Sequence, residues 1–457
     1  MAASNVQLDV FSAGWSAADD WALYRRAGLP ELCRESSHGA HILGCLFGAH
    51  ANSTLLWQGQ HDHAPQRGQS ALQNQFPDLV FVQLPSMYIQ GVPRSALGTY
   101  RLAALEYILE CAGPQTTDIV VPISSETYDG SHDGQSFYDT AAAALIDYAR
   151  LTLGKTMHVL VSAGNTLRTN THERVNLAAA PGGTHTFRVR VLPGNERQTF
   201  VEVWAPHTLD DMQFALLSPK ATGAPAFVSG DGAWSGSDGL GRPVAGILSL
   251  QQATTFGGHQ RLVLFVLPPT LAAQGAGGEV GDWRILVRRP GAPGDVFAYI
   301  SRSTPALGGA TRSYQSTFPR RFSRDWDFES GAPAGKGRPY DAHSINGLAT
   351  GSGITVVGSY QARERLRSQY SAGGPARPPS AHLRFLIDVA APADASANAL
   401  GIVGWGNRSA GFTRRAGTSV AAPLAARTVV RLRALPPLTP GPTPREDPQI
   451  DIQHIVQ

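Results

Sequence analysis

Three short stretches, far apart in the chain, carry residue types that do chemistry together. The last, "RRAGTSVAAPLAARTVVRLRAL", places Gly417-Thr418-Ser419 at the head of an alanine-rich segment. A serine hydroxyl is a weak nucleophile at neutral pH and needs an adjacent base. It also benefits from donors aimed at the oxyanion that its attack creates. A helix N-terminus following a glycine offers free backbone N–H groups beside such a serine. Pro423 is expected in the first turn or so, where its missing N–H costs little. Ala421, Ala422, Ala425 and Ala426 let the helix lie deep. An ordinary N-cap serine before a buried helix satisfies the same pattern.

The second stretch is His38-Gly-Ala-His41-Ile-Leu-Gly44. Two histidines three apart on a helix can ligate a metal, but the Glu of the zinc-protease pattern is absent. A histidine in a first turn with small neighbours suits a general base that faces a cleft. A capping or core histidine is the plainer alternative. The third stretch, Val161-Ser-Ala-Gly-Asn165, ends an apolar run. An Asn there stands at the mouth of an α/β sheet, where ligands bind, and its amide can donate to an oxyanion. A turn Asn after Gly reads the same way.

These residues need a scaffold. Over residues 38–165, helical and strand patterns alternate: "HGAHILGCLFGAH", with Ile42, Leu43 and Leu46 on one face, "DLVFVQLP" (78–85) as a buried strand, "YRLAALEYILECAG", "DIVVPIS", "FYDTAAAALIDYARLTLG" and "MHVLVSAGN". That alternation predicts a parallel sheet covered on both faces. From about residue 183 to 305 the runs are short, aromatic and β-branched, with Gly/Pro/Asn turns between them. The alternation Phe187-Arg188-Val189-Arg190-Val191 predicts an antiparallel sheet with one wet face. An inserted β-sandwich is expected there. The α/β pattern returns with "GITVVGSYQ" and "LRFLIDVAAP", and the chain ends in a Pro-rich stretch expected to be extended or disordered.

Taken in order, "HGAHILG", "VSAGN" and "GTSVAAP" resemble the His, oxyanion-Asn and Ser blocks of the subtilisin-like serine proteases, the subtilase family. "ISSETYDGSHDG" resembles the family's substrate-lining strand, and "SINGLATGSGITVVGSYQ" and "IDVAAPAD" its segments leading to the serine. The resemblance covers about 1–182 and 335–435. It implies an α/β fold, a subtilisin-like parallel sheet flanked by helices, interrupted by the antiparallel β-sandwich. It divides the chain into 1–182 and 335–435 as the two parts of a catalytic domain, 183–334 as insert and linker, and 436–457 as tail. It implies a serine-type endopeptidase with His38 as general base, Ser419 as nucleophile and Asn165 as oxyanion donor, with the Ser419 N–H as the second donor. Ser124, Ser125 and Glu126 would line the substrate site.

Some positions depart from the family pattern. Ala40 stands where Thr is usual and Val420 departs in the serine block. Glu126 replaces a glycine, and its charge would select basic side chains, obstruct the cleft, or merely be solvated in a loop. The triad carboxylate that should fix the His tautomer has no Asp-Thr-Gly motif; Asp9, 29 residues before His38, is the candidate within the chain, and an upstream aspartate strand is the alternative. Asp19 and Asp20 look like a helix start. An inactive subtilase-fold binding or scaffold protein is therefore the second functional expectation. "GDWRILVRRPG" is similar to the Gly-x-Trp strand of the proprotein-convertase β-sandwich.

Bulk properties narrow the classes. With 457 residues the chain exceeds one ordinary core. Hydrophobic residues make up 42% and charged ones 16%, a folded composition. Net charge is +3 and the Arg clusters are short, so nucleic acid is not an expected partner; protein or peptide substrate is. Cys33, Cys45 and Cys111 cannot build a disulfide framework. No apolar run is long enough to span a membrane, and no signal-peptide pattern opens the chain, which fits a cytoplasmic protein or, equally, an incomplete N-terminus. No cofactor is expected, though a calcium site built from backbone oxygens leaves no sequence trace; His61-Asp62-His63 reads as a solvated loop before a metal site.

Overall fold

The computed structural model describes residues 20–26, 37–48, 79–84, 95–206, 211–230, 232–237, 243–253, 259–271, 277–289, 294–302, 314–319, 326–327, 332–333, 343–377, 387–408 and 411–434. Asp9, Asp19, Cys33, His61 to His63 and the Pro-rich tail lie outside them.

The helices are α1 (Asp20–Arg26), α2 (His38–Phe47), α3 (Ser95–Cys111), α4 (Phe137–Leu151) and α5 (Thr418–Ala434). Helix α4 starts at a reciprocal cap: the Ser136 hydroxyl accepts from the Asp139 N–H at 3.1 Å and donates to the Asp139 carboxylate at 2.7 Å. Strands β1 (Asp118–Ile123) and β2 (Thr156–Ser162) come before a long antiparallel stretch: β3 (His172–Asn176), β4 (Thr184–Val191), β5 (Thr199–Pro206), β6 (Gln213–Leu217), β7 (Val228–Ser229), β8 (Gly232–Ser237), β9 (Pro243–Ala253), β10 (His259–Leu267), β11 (Gly281–Arg288) and β12 (Asp295–Ile300). The hairpin β13 (Trp326–Asp327) and β14 (Ala332–Pro333) follows. Then come β15 (Ile354–Gln361), β16 (Leu366–Arg367), β17 (Val389–Asp394), β18 (Ile402–Trp405) and β19 (Phe412–Arg415).

The α/β part is built on parallel strands ordered β1-β2-β15-β17, with Val121 opposite Val159, Val161 opposite Val356 and Val357 opposite Val389. Successive strand residues point to opposite faces. Val159 and Val161 therefore pack with Leu105 and Leu109 of α3 and Ala142 and Ile146 of α4. Leu160 faces the other way, onto Cys45 of α2 and Val420, Ala421 and Ala422 of α5. The sheet is covered on both faces, as the alternating pattern implies, and the mixed α/β fold expected from sequence is the fold observed.

The middle of the chain forms two antiparallel sheets, ordered β3-β12-β5-β10-β9-β8 and β4-β11-β6-β7. They share one core. Phe187, Val189, Trp283 and Ile285 from the smaller sheet meet Val201, Val203, Phe265 and Ala298 from the larger one. Arg188 and Arg190 of β4 face outward, and Arg190 pairs with Asp282.

The outer face of β5 and β12 meets the α/β part through buried aromatic and charged groups. Trp204, Phe297 and Tyr299 are buried there. The fully buried Arg377 guanidinium lies over the Trp204 and Phe297 rings at 5.2 and 5.4 Å and faces Asp133 at 3.7 Å. Glu202 accepts from the Gly130 N–H and the Trp204 indole N–H, both at 2.9 Å. The loop after β1, which carries Ser124, Ser125 and Glu126, is braced by these contacts.

Several local expectations change. Residues 79–84 form no strand, and Leu79 and Phe81 are 53% and 54% exposed; the segment has no sheet neighbour among the described residues. An apolar run without a partner strand is ambiguous. On α2 the buried residues are His41, Gly44 and Cys45, while Ile42, Leu43 and Leu46 are half-buried. The cause is the close approach of β18: a Cβ at Gly44 would lie 2.1 Å from the Trp405 nitrogen. Pro423 sits in the second turn of α5, whose first residue is Thr418, so it leaves the Ser419 carbonyl without an intrahelical N–H. Strands β8 and β9, which extend the larger sheet, carry no strong sequence signal.

Candidate active site

The site forms where three chain segments end. Helix α2 begins at His38, capped by the Ser37 hydroxyl, which accepts from the Ala40 N–H at 3.0 Å. The Ser37 N–H donates in turn to the Asn407 side chain at 2.7 Å. Helix α5 begins at Thr418, which puts Ser419 in its first turn. The His38 Nε2 lies 3.0 Å from the Ser419 Oγ, although the two residues are 381 positions apart in sequence.

Asn165 follows β2 at the C-terminal mouth of the parallel sheet. Its orientation is set by Thr418, whose backbone N–H donates to Asn165 Oδ1 at 2.9 Å and whose hydroxyl donates to the same oxygen at 3.2 Å. The Thr418 hydroxyl also accepts from the Gly164 N–H at 3.0 Å. With Oδ1 occupied, the amide Nδ2 is the arm left to donate. Gly417 shows how near the Asn165 amide lies to the serine: a Cβ built there would lie 3.4 Å from both Asn165 Nδ2 and Oδ1 and 3.2 Å from Ser419 Oγ. Gly417 has φ +130°, a backbone open to glycine and strained for other residues. The Ser419 N–H is one of the first N–H groups of α5, which lack intrahelical acceptors. Two donors and a hydroxyl therefore converge beside an imidazole.

His38 is exposed to solvent on one side. Its imidazole is held down to about 4 by desolvation, then by the charges of Arg415, His41 and Arg302. Solvent access moderates the desolvation part, but every cause has the same sign, so the ring is neutral at pH 7 and its Nε2 can accept a proton. Among the described residues its ring makes one hydrogen bond, to Ser419. His41 plays a structural part: it is buried, with Nε2 2.9 Å from the Ile402 carbonyl and Nδ1 3.6 Å from the Cys45 sulfur.

The segment after β1 borders the same mouth. Ser124 is half-buried and Ser125 is exposed, with its hydroxyl accepting from the buried Arg101 at 2.5 Å. Glu126 is 9% exposed; its Oε2 accepts the Asn165 backbone N–H, and its Oε1 faces Arg302 at 3.5 Å.

Residues outside the three motifs hold the site together. The Asn346 amide donates to the Ser125 and Ser162 carbonyls at 3.1 and 2.9 Å, and its oxygen accepts the Thr127 N–H at 3.0 Å. It thereby ties the ends of β1 and β2. The Tyr370 hydroxyl accepts the Gly417 N–H at 2.9 Å and donates to Asp394 at 2.7 Å. Asn346 and Asp394 lie in the two segments that resemble the approach to the serine; Tyr370 had no sequence signal.

The comparisons with known proteins bear on the fold and on the serine segment. The subtilase family model matches residues 327–447, which include the serine segment. A solved structure, the CspB protease of Clostridium perfringens, superposes with a TM-score of 0.51 at 20% sequence identity. The fold is similar to that of this protease, and the serine segment matches the subtilase model. The superposition covers 73% of this chain and 60% of the CspB chain, so the subtilisin-like part spans well under the full length of that relative. No curated protein matches the sequence. Among the described residues, no cluster of three or more His, Cys, Asp or Glu is placed to hold a metal, and no helix is long and apolar enough to cross a membrane.

Proposed function

We infer that the protein is a subtilisin-like serine endopeptidase. The observation that carries this reading is the 3.0 Å contact between His38 Nε2 and Ser419 Oγ beside the Asn165 amide. Ser419 Oγ attacks a peptide carbonyl while His38 takes its proton. The developing oxyanion accepts from Asn165 Nδ2 and the Ser419 N–H. His38 then protonates the leaving amine, and water, activated by the same ring, releases the acyl group. No cofactor enters these steps. In this reading 1–182 and 335–435 are one catalytic unit, 183–334 is inserted into it, and Ser124, Ser125 and Glu126 line the bound peptide.

The test is hydrolysis of an unfolded protein such as reduced casein. Activity that disappears in Ser419→Ala and in His38→Ala supports the reading. Equal residual hydrolysis in all three proteins contradicts it and leaves a subtilisin-like binding protein as the alternative.

A further inference from the structure

Glu126 is the unusual group at the mouth of the site. A carboxylate that is 9% exposed needs cationic or hydrogen-bonding partners to offset its lost hydration. One oxygen takes the backbone N–H of Asn165, the residue whose side chain stands beside Ser419. The other faces Arg302. Arg302 comes from the antiparallel part of the molecule, two residues after β12, and the Ser301 N–H before it is fixed to the Phe200 carbonyl at 2.9 Å. Its side chain is 36% exposed, against 8% for Glu126. The guanidinium also lies close enough to the His38 ring to act on it electrostatically. A solvent-facing cation therefore pairs with the carboxylate that holds the backbone N–H of Asn165, and its charge also reaches the His38 ring.

Resting on the endopeptidase reading, we propose that Glu126 recognises a basic side chain of the substrate, at the residue whose carbonyl Ser419 attacks, and that Arg302 holds that position in the free protein. A substrate Arg or Lys exchanges one cation for another, and the carboxylate stays paired throughout. A neutral side chain offers no such exchange, because displacing Arg302 would leave Glu126 buried without its cation. The pair joins the α/β part, which carries Glu126, to the antiparallel insert, which carries Arg302, so the insert sets the threshold of the cleft.

Two measurements test the exchange. The first is the ratio of kcat/KM for peptide amides with Arg against Leu at that residue. It should exceed about tenfold in the wild type, rise about tenfold further in Arg302→Ala and collapse in Glu126→Gln. A ratio that stays within about twofold of wild type in both variants overturns the proposal. The second is binding of benzamidine, an arginine side-chain mimic, by calorimetry in the Ser419→Ala background, where no turnover is needed. Benzamidine should bind about tenfold more tightly when Arg302→Ala is added and not at all when Glu126→Gln is added. Absence of binding with Arg302→Ala, or unchanged binding with Glu126→Gln, overturns the proposal. If casein and peptide hydrolysis fail but benzamidine binds as expected, the protease reading falls while the recognition site stands. Arg302 is solvent-facing, so Arg302→Ala carries the test even where Glu126→Gln weakens the fold.

Discussion

His38 Nε2 and Ser419 Oγ stand 3.0 Å apart, though one begins the second helix and the other is the second residue of the last. Each sits in the first turn of its helix, and the two helices pack on the same face of the parallel sheet. The pair is therefore set by the core and not by a flexible loop. Substitutions that shift either helix start should cost activity before they cost the fold.

Gly417 is the sharpest case. It holds φ +130°, and a Cβ there would press within 3.2 Å of Ser419 Oγ. Gly417→Ala is expected to lower stability by about 1–3 kcal/mol and to reduce turnover much more than that loss alone would. Denaturant unfolding together with peptide hydrolysis separates the two effects; wild-type turnover in a folded Gly417→Ala protein would contradict the assignment.

Asn165 has two roles that a substitution pair can divide. Its Oδ1 holds the Thr418 N–H, while in the proposed mechanism its Nδ2 is the donor toward the oxyanion. Asn165→Asp keeps an oxygen for Thr418 and removes the donor; Asn165→Ala removes both. Both should lower kcat by about 10²–10³, the known cost of losing the side-chain oxyanion donor in subtilisin itself, with KM nearly unchanged. Only Asn165→Ala should also lower Tm.

The acid limb of activity should follow His38. A base must be unprotonated, and desolvation with Arg415, His41 and Arg302 holds this ring near 4. The kcat/KM profile should therefore fall with a midpoint near pH 4, and Arg415→Gln should move that midpoint upward. A wild-type midpoint at or above the ordinary imidazole value of about 6.5 would instead place a carboxylate on Nδ1, and Asp9→Asn would show whether Asp9 supplies it.

Much of this was legible in the sequence. The strand–helix alternation gave the parallel sheet because buried parallel strands and amphipathic helices leave strong periodicities in "DIVVPIS" and "FYDTAAAALIDYARL". The serine and asparagine motifs were legible because Gly417 and Gly164 hold positive φ angles that few other residues adopt. Residues 79–84 were misread because apolarity does not specify a partner strand. The position of Pro423 was misread because a helix start cannot be placed to one residue from pattern alone. The site's supports were invisible for a different reason: Asn346 meets Ser125 across 221 positions and Tyr370 meets Gly417 across 47. Such contacts have no local signature.

His172 makes the junction between the two parts of the molecule acid-sensitive. The ring is buried, neither nitrogen has a hydrogen-bond partner among the described residues, and it lies beside Tyr299 at 4.8 Å and His343 at 6.2 Å. Desolvation, then His343, His132 and Arg174, hold it well below the ordinary value. The unfolded chain therefore binds this proton first, and stability is lost as pH falls below about 6.5. Burial pushes Glu202 up to about 7 and Asp139 up to about 6, and both act in the opposite sense between their ordinary values and those pKa values. The clean readout is thus a difference: His172→Phe should lose less stability than wild type as pH falls from 7 to 5. A pH-independent difference in unfolding free energy would contradict a neutral buried ring.

The central claim is that Ser419 is an activated nucleophile, and it is tested most directly by covalent capture. The full-length protein is treated at pH 7 with a fluorophosphonate probe, which reacts with activated serines, and the adduct is mapped by mass spectrometry. The account predicts one adduct, on Ser419, that is lost in His38→Ala while the fold is retained. A well-folded protein that takes no probe at Ser419, or takes it equally without His38, would contradict it.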